Sequence, residues 1–403
     1  MRATLCVVLL LVACAEERER EPETLATVMG RKLFEAGMEH ARNGRHAEAI
    51  AAYREAADLM PSLPQVHYNL GNAYFSSGML DEATGAYRRA LELKPDYVEA
   101  YYQLGGVFIR LKKYDEAVRQ LAEAVRLHPG HVPSYNALGL LQTRRGNYDE
   151  AVASYERALQ ADSTRAEVWY NLGTVHTKRA AGEAAKKAFS TAIRLDSMRV
   201  RPHGALGAIY FEERRFEEAR RHLERAVQLS PLRPQPHYDL GQVYMRLGER
   251  EKGQRALAAF KRLEEEEKMI RSLEFTLLSE PGDAQRHYDL GVLYGQRAQF
   301  DKAAERYRRA IALDTTHADA LVNMGNIQLR RQRLDLARDH LTRAVAADSA
   351  HANAHNSIGN LHMVEQDFAA AAASFRRAAQ LDPDNDEYRR NLQIAQGVEP
   401  GAR

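Results

Sequence analysis

The chain has 403 residues, of which 45% are hydrophobic and 28% are charged, a balance typical of folded rather than disordered proteins. Its 57 lysines and arginines are nearly matched by 55 aspartates and glutamates, which argues against nucleic acid as a partner. The two cysteines, Cys6 and Cys14, both lie close to the N-terminus. The remaining sequence therefore cannot form a disulfide scaffold, a thiolate metal site or a thiol enzyme.

The first predicted element is an N-terminal targeting sequence. An apolar run of about ten residues, Thr4 to Ala13, is too short to span a bilayer as a helix and fits the core of a signal peptide. The run ends in Leu-Val-Ala-Cys at residues 11–14, which resembles the lipobox of bacterial lipoproteins. The resemblance implies a signal peptide over residues 1–13 and lipidation of Cys14. A plain secretory signal with an accidental cysteine is the alternative.

Lipidation of Cys14 would hold the protein on a membrane, since each buried methylene contributes about 0.8 kcal/mol. The next residue is Ala15 rather than an aspartate. In proteobacterial lipoproteins this difference favours the outer over the inner membrane. The resemblance therefore implies a lipid-anchored protein of the bacterial cell envelope, with the periplasmic side of the outer membrane preferred. Residues 14–29 are predicted to form a charged tether.

The rest of the sequence is built on a glycine that recurs every 34 residues, with one gap of 50 between the seventh and the eighth: Gly37, Gly71, Gly105, Gly139, Gly173, Gly207, Gly241, Gly291, Gly325 and Gly359. With this repeat glycine as position 0, position −1 is mostly leucine, and position −4 is in most repeats aromatic or histidine. Positions +12 and +19 are nearly always alanine, and position +16 is aromatic or leucine. The series predicts one helical hairpin repeated along the chain.

This pattern closely resembles the tetratricopeptide repeat (TPR), a helix–turn–helix unit of 34 residues. The resemblance covers ten repeats. It implies an all-α protein, an α-solenoid that forms a right-handed superhelix, in which stacking buries the apolar face of each hairpin. Repeats one to seven are predicted over residues 30–263 and repeats eight to ten over 284–383, followed by a cap helix and tail over 384–403.

Repeat seven departs from this pattern, because positions +12 and +19 hold Gly253 and Phe260 and sixteen extra residues precede repeat eight. Residues 264–283 are predicted to be an inserted helical extension or linker, and a continuous helix of some 27 residues would be about 40 Å long. Three apolar residues then share one face of this helix: Ile270, Leu273 and Leu277. Two interpretations stay open: residues 263–278 pack between two blocks of repeats, or they dock a partner or a second copy of the chain.

No catalytic motif is present: there is no glycine-rich phosphate loop, no Gly-x-Ser-x-Gly and no His-Glu-x-x-His. The predicted elements leave no stretch for a catalytic domain, so we expect neither an enzyme nor a cofactor. His351 and His355 have the i,i+4 spacing of a metal-binding pair, with His362 further along. However, His355 and His362 take positions that are aromatic in other repeats. We therefore predict that they pack, and expect no metal site.

The resemblance also implies a concave groove, onto which positions −3, +1, +4 and +5 of each first helix face. Position −3 is often aromatic, position −2 is commonly an amide or acid, and position +5 is often basic. These side chains suit an extended or acidic peptide, which they would bind through rings, backbone hydrogen bonds and charge. The predicted groove residues are Tyr68, Asn69, Tyr102, Gln103, Arg110, Arg144, Tyr170, Asn171, Lys178, Tyr238, Arg246, Tyr288, Asn323 and Arg330.

We therefore expect a non-catalytic, membrane-tethered scaffold or adaptor that binds extended peptide segments of envelope proteins in this groove. The alternative is an assembly or pilotin-type lipoprotein that supports a secretion, pilus or outer-membrane complex. A substrate-recognition subunit of a glycosyltransferase-like enzyme is more remote. Partners would be other proteins and, through the lipid, the membrane; self-association through residues 263–278 stays open.

Overall fold

The computed structural model describes residues 25–397 of the chain. These residues form 21 helices and no strand, so the prediction of an all-α TPR solenoid is confirmed. The predicted signal peptide and Cys14 lie outside the described residues, as does the predicted tether up to residue 24. The first helix begins at Leu25 and therefore includes the last five residues assigned to that tether. No helix among residues 25–397 has an apolar stretch long enough to cross a bilayer.

The chain divides into two compact units, of which the first is Met1–Leu229. Its described part consists of six antiparallel hairpins, one for each of the first six repeats. Their helices are α1 (Leu25–Arg42), α2 (His46–Leu59), α3 (Pro64–Ser76), α4 (Leu80–Leu93), α5 (Val98–Arg110), α6 (Tyr114–Leu127), α7 (Val132–Arg145), α8 (Tyr148–Ala161), α9 (Ala166–Lys178), α10 (Gly182–Leu195), α11 (Val200–Glu212) and α12 (Phe216–Leu229).

The second unit, Ser230–Arg403, holds four hairpins and a final helix within its described part. Its helices are α13 (Pro234–Arg246), α14 (Arg250–Ser279), α15 (Ala284–Gln296), α16 (Phe300–Leu313), α17 (Ala318–Arg330), α18 (Leu334–Ala347), α19 (Ala352–Val364), α20 (Phe368–Leu381) and α21 (Asp386–Ala395). The final helix buries Tyr388 and Ala395, and Ala395 packs with Phe375 of α20. It therefore covers the apolar face of the last hairpin, as a cap helix does.

The repeat glycine is the point where the two helices of a hairpin come closest. A Cβ atom added at Gly173 would lie 2.6 Å from the ring of Phe189 at position +16, and one at Gly291 would lie 2.5 Å from Tyr307. No side chain fits such a gap, so the ring of the second helix packs directly on the backbone of the first. Alanines at positions +12 and +19 are fully buried beside this contact, as at Ala185. The 34-residue spacing therefore encodes one packing contact repeated along the chain.

Position −4 joins the first helix of a repeat to the loop before it. His67 Nε2 donates to the carbonyl oxygen of Pro61 at 3.0 Å, six residues earlier in the chain. Trp169 Nε1 makes the equivalent bond at 2.9 Å, and His355 Nε2 makes it at 3.1 Å. Histidine and tryptophan are interchangeable at this position because each offers an N–H group at the edge of a flat ring.

The second helix of repeat seven, α14, is one continuous helix of 30 residues. Its C-terminal half packs on repeat eight, where Ile270 and Leu277 belong to the same hydrophobic core as Leu290 of α15. Arg297, after α15, donates a hydrogen bond to the carbonyl oxygen of Leu263 at 3.0 Å. On another face of the helix, Phe275 and Leu278 are 76% and 82% exposed. Packing on repeat eight therefore accounts for one apolar face of α14, and self-association stays a prediction for the other.

Candidate functional site

Three of the predicted groove residues, from successive repeats of the first unit, line one cavity of about 920 Å³. Tyr102 lies at position −3 on α5, whereas Arg144 and Lys178 lie at position +5 on α7 and α9. Their hairpins stack side by side, so these side chains reach the same cavity although 76 residues separate the first from the last. We call it the α5–α9 cavity and define it by Tyr102, Leu140, Arg144, Glu167 and Lys178.

The floor of the α5–α9 cavity is apolar. Leu140 is 46% exposed, and Ile109 and Leu141 lie beside it. A large aliphatic side chain that is half exposed inside a cavity offers surface that a ligand side chain can cover. Leu140 was not among the predicted site residues, although its position, +1, was predicted to face the groove.

The charged groups that line the cavity are mostly positive. Arg145 pairs with Asp115 of α6 at 2.6 Å. Arg144 and Lys178 form no ion pair with any residue in the range 25–397, and Glu167 is the one acidic residue of the lining. The cavity therefore holds two uncompensated cations, which favour a carboxylate of a ligand.

Tyr102 forms the side of the cavity on α5. Its ring meets His131 edge-on, with the ring centroids 5.5 Å apart. Burial raises the pKa of Tyr102, and the nearby carboxylate of Glu167 raises it further. The hydroxyl group therefore keeps its proton at neutral pH and can donate a hydrogen bond to a ligand.

The other predicted tyrosines pack on rings of their own repeat, and two of them also pack on a ring at the start of the next repeat: the centroids are 4.9 Å apart for Tyr68 and Tyr97 and 4.8 Å apart for Tyr288 and His317. Ring centroids are 6.0 Å apart for Tyr68 and Tyr87, 5.7 Å for Tyr170 and Phe189, and 5.9 Å for Tyr288 and Tyr307. Tyr238 contacts Phe260 at 5.1 Å and stays 40% exposed. The tyrosines at position −3 therefore pack on a ring of the second helix, at position +16 or, for Tyr238, at position +19, and only the outer part of each tyrosine is open to a ligand.

Two of the predicted amides at position −2 already donate hydrogen bonds to other groups of the chain. Asn69 Nδ2 donates to the carbonyl oxygen of Gln65 at 2.9 Å. Asn171 is 9% exposed and donates to Asn136 Oδ1, one repeat earlier, at 2.9 Å. Gln103 is half-buried. Asn69 and Asn171 therefore have fewer free donors for a peptide backbone than their residue type suggests.

Arg110 lies on α5 but does not line the α5–α9 cavity. Its Nη1 donates to the carbonyl oxygen of Phe75 at 2.9 Å, and its guanidinium lies 4.9 Å from the centre of the Phe75 ring. These contacts turn the side chain toward the preceding hairpin. Phe75 of the preceding repeat therefore holds Arg110 away from the α5–α9 cavity.

In the second unit, Asn323 and Arg330 line a smaller cavity of about 330 Å³. The guanidinium of Arg330 lies over the ring of Phe300 at 4.4 Å, and Arg246 is exposed on α13. Because the guanidinium of Arg330 lies against a ring, its surroundings resemble those of Arg110 more than those of Arg144 and Lys178 in the α5–α9 cavity.

The histidines of repeat ten have partners within the protein. His351 Nδ1 accepts a hydrogen bond from the backbone N–H of Ala354 at 3.2 Å, and its Nε2 lies 3.0 Å from Asp319 Oδ1. Across residues 25–397, no group of three or more His, Cys, Asp or Glu side chains is arranged to hold a metal ion.

Comparison with known families identifies the repeats. The family described as the cilia and flagella-associated protein 70 C-terminal domain matches residues 62–275, more than half of the chain. Tetratricopeptide-repeat families match residues 37–78, 288–350 and 322–386. The prediction of TPR repeats is therefore confirmed. None of the curated proteins matches in sequence.

Solved structures of three other proteins are similar to about half of this chain. PilF from Pseudomonas aeruginosa is 18% identical and covers 53% of this chain and 97% of its own, with a TM-score of 0.47. MamA from Desulfovibrio magneticus RS-1 is 20% identical, with coverages of 44% and 98% and a TM-score of 0.40. YrrB, described as a TPR protein with an unusual peptide-binding site, is 22% identical, with coverages of 48% and 96% and a TM-score of 0.38.

Proposed function

Because this chain belongs to the TPR family of the cilia and flagella-associated protein 70 C-terminal domain, we propose that it is a non-catalytic scaffold that binds extended segments of other proteins. The observation that carries this proposal is the α5–α9 cavity, where Tyr102, Arg144 and Lys178 come together from three repeats. A ligand that touches all three contacts three successive first helices, and an extended peptide segment is suited to such a site.

The chemistry of the α5–α9 cavity favours a peptide that carries acidic and apolar residues. Arg144 can bind a carboxylate through two parallel hydrogen bonds, and Lys178 adds a second positive charge. The half-exposed Leu140 would pack against an apolar side chain of the ligand. The carboxylate of Glu167 would repel a second acidic residue of the ligand at its own end of the cavity, so one binding direction of the ligand would be favoured.

The test compares two charge-reversal variants with the same change in net charge. Arg144→Glu combined with Lys178→Glu alters the cavity, whereas Arg88→Glu combined with Arg119→Glu alters exposed residues of α4 and α6. The probes are fluorescent peptides of about twelve residues in acidic, neutral and basic sets, measured by anisotropy. We expect the wild type and the second variant to bind acidic peptides alike, and the cavity variant to bind them at least tenfold more weakly. If both variants bound acidic peptides with equal affinity, the binding site would not be this cavity.

We also propose that the scaffold is held in the bacterial envelope by lipid on Cys14, with envelope proteins as its partners. The support is the lipobox-like sequence at residues 11–14 and Ala15 after it. Wild-type protein should sediment with membranes in 1 M salt and move with outer-membrane fractions on a density gradient. Cys14→Ser should release it, and Ala15→Asp should shift it to inner-membrane fractions. Sedimentation of Cys14→Ser with membranes under the same conditions would refute the lipid anchor.

A further inference from the structure

A second cavity of the first unit lies among α8, α9 and α10 and shares no lining residue with the α5–α9 cavity. Its volume is about 560 Å³. We call it the α8–α10 cavity and define it by Glu156, Leu159, Trp169, His176 and Lys187. Leu159 and the half-buried Trp169 line it with apolar surface, and the indole N–H of Trp169 already donates to the carbonyl oxygen of Ser163. An apolar side chain of another molecule could be covered there.

The α8–α10 cavity is open because two positions of repeat five carry small side chains. Position +3 holds His176 and position +15 holds Ala188, and both line the cavity. In repeat six the same positions hold Tyr210 and His222, whose rings stack with their centroids 5.6 Å apart. Repeat five lacks this pair of rings, so the cavity has room for an aromatic side chain from outside.

The chain carries exposed apolar side chains of this kind on α14. Phe275 and Leu278 are 76% and 82% exposed, on the face opposite to the one that packs on repeat eight. Lys268 and Arg271 lie on the same face as Phe275, two turns and one turn before it. An apolar patch with a polar rim is typical of a protein–protein contact.

The charges around the patch and around the cavity are complementary. Glu156 on α8 and Lys187 on α10 are exposed, and neither forms an ion pair with another residue of the range 25–397. On α14, Lys268 and Arg271 lie on the N-terminal side of Phe275, whereas the negative end of the helix dipole lies on its C-terminal side. With Phe275 in the cavity, the two cations would face Glu156 and the end of the helix would face Lys187.

We propose that Phe275 and Leu278 of one copy of the chain dock in the α8–α10 cavity of a second copy. The contact joins two unlike surfaces, so each copy offers one patch and one cavity to its neighbours. None of these residues lines the α5–α9 cavity, so self-association does not depend on the proposed peptide binding.

Sedimentation velocity of the full chain tests the patch. All proteins carry Cys14→Ser to remove the predicted lipid anchor, so the N-terminus is the same in each. The average mass of this parent protein should rise with concentration between about 1 and 200 μM, which brackets a micromolar contact. Phe275→Ser combined with Leu278→Ser, the patch variant, should weaken association at least tenfold. The matched control changes two exposed apolar residues of α1, Leu25→Ser combined with Met29→Ser, and should associate like the parent. A parent protein that stays monomeric would overturn the proposal.

A second variant tests the cavity without a change in net charge. Glu156→Arg combined with Lys187→Glu, the rim variant, places like charges against α14 and should also weaken association at least tenfold. The matched control makes the reverse exchange at the equivalent positions of repeats eight and nine, Arg308→Glu combined with Asp339→Arg. It should associate like the parent. Equal losses in the rim variant and this control would contradict docking in the α8–α10 cavity.

A mixture of the two variants identifies the surfaces that meet. The patch variant keeps its cavity and the rim variant keeps its patch. An equimolar mixture should therefore form one-to-one pairs at a concentration where each variant alone is monomeric. If α14 bound to α14 of the second copy, or only to a different protein, the mixture would stay monomeric and the proposal would be wrong.

Discussion

The α9–α10 and α13–α14 hairpins are built on the same 34-residue repeat, yet their second helices differ in length. Helix α10 has 14 residues and ends at Leu195, whereas α14 continues for 30 residues. In α9–α10 the repeat glycine faces an aromatic ring, and alanines fill positions +12 and +19. In α13–α14, Gly253 and Phe260 take those two positions. The repeat therefore sets how the two helices of a hairpin meet, while other residues decide how far the second helix runs.

Helix α14 continues because it has a second set of neighbours. Leu263 is 1% exposed, and Ile270 and Leu277 are buried in the core that includes α15. Arg297 adds ion pairs to Glu266 and Glu267, both at 3.5 Å. Glu266, Glu267, Ile270 and Leu277 lie beyond the residues assigned to repeat seven, so the extension is held by contacts that no other hairpin of the described chain has.

The largest effect is expected where this second set of contacts is removed. Leu277→Ala should lower the free energy of unfolding of the second unit by about 2–5 kcal/mol, since Leu277 is buried in the core that includes Leu290 and its truncation leaves a cavity there. Denaturation by urea, followed by circular dichroism, measures the change. The matched control is Leu278→Ala on the same helix, where the side chain is 82% exposed and the expected change is within about 0.5 kcal/mol. Equal effects of both variants would mean that α14 projects freely rather than packs.

A smaller loss is expected where the regular hairpin is overpacked. Gly173→Leu should cost about 1–3 kcal/mol, because even its Cβ atom would lie 2.6 Å from the Phe189 ring. Gly85→Leu makes the same change in a helix where an added Cβ meets nothing within 4 Å, so it should be neutral or stabilising by up to about 1 kcal/mol. Thermal melting of the two variants distinguishes them. An unchanged melting temperature for Gly173→Leu would refute the assigned packing of the repeat.

The packing of the hairpins could be predicted from the sequence because it depends on residues at constant spacing. In each of the ten repeats the repeat glycine faces the residue at position +16, as Gly173 faces Phe189. One contact therefore explains the whole series of glycines. Arg144 and Lys178 line one cavity through the same regularity, since stacked repeats bring like positions together, and Tyr102 reaches it from position −3, which was predicted to face the same groove.

The contacts that could not be predicted involve pairs of residues that occur in only one or two repeats. Arg110 turns away from the cavity because Phe75 lies in the preceding repeat. Asn171 is occupied by Asn136, one repeat earlier. Both contacts join positions of different repeats, so a comparison of equivalent positions does not show them.

The smallest effect concerns the turns of the two hairpins, which have the same backbone but different residues. Ala180 in α9–α10 and Gly248 in α13–α14 both have positive φ, +57° and +81°. In each turn the next residue donates its N–H to the carbonyl five residues earlier at 2.9 Å, from Ala181 to His176 and from Glu249 to Tyr244. This left-handed conformation disfavours any residue with a Cβ atom.

The exchange of these two residues should therefore have opposite effects. Ala180→Gly should stabilise the first unit and Gly248→Ala should destabilise the second, each by about 0.5–1 kcal/mol. No atom lies within 4 Å of a Cβ added at Gly248, so the backbone conformation alone opposes alanine there. Urea midpoints of the two variants against the wild type give the signs. If both substitutions shift the midpoint in the same direction, the turn is not the source of the difference, and the two hairpins differ in stability only through their helix contacts.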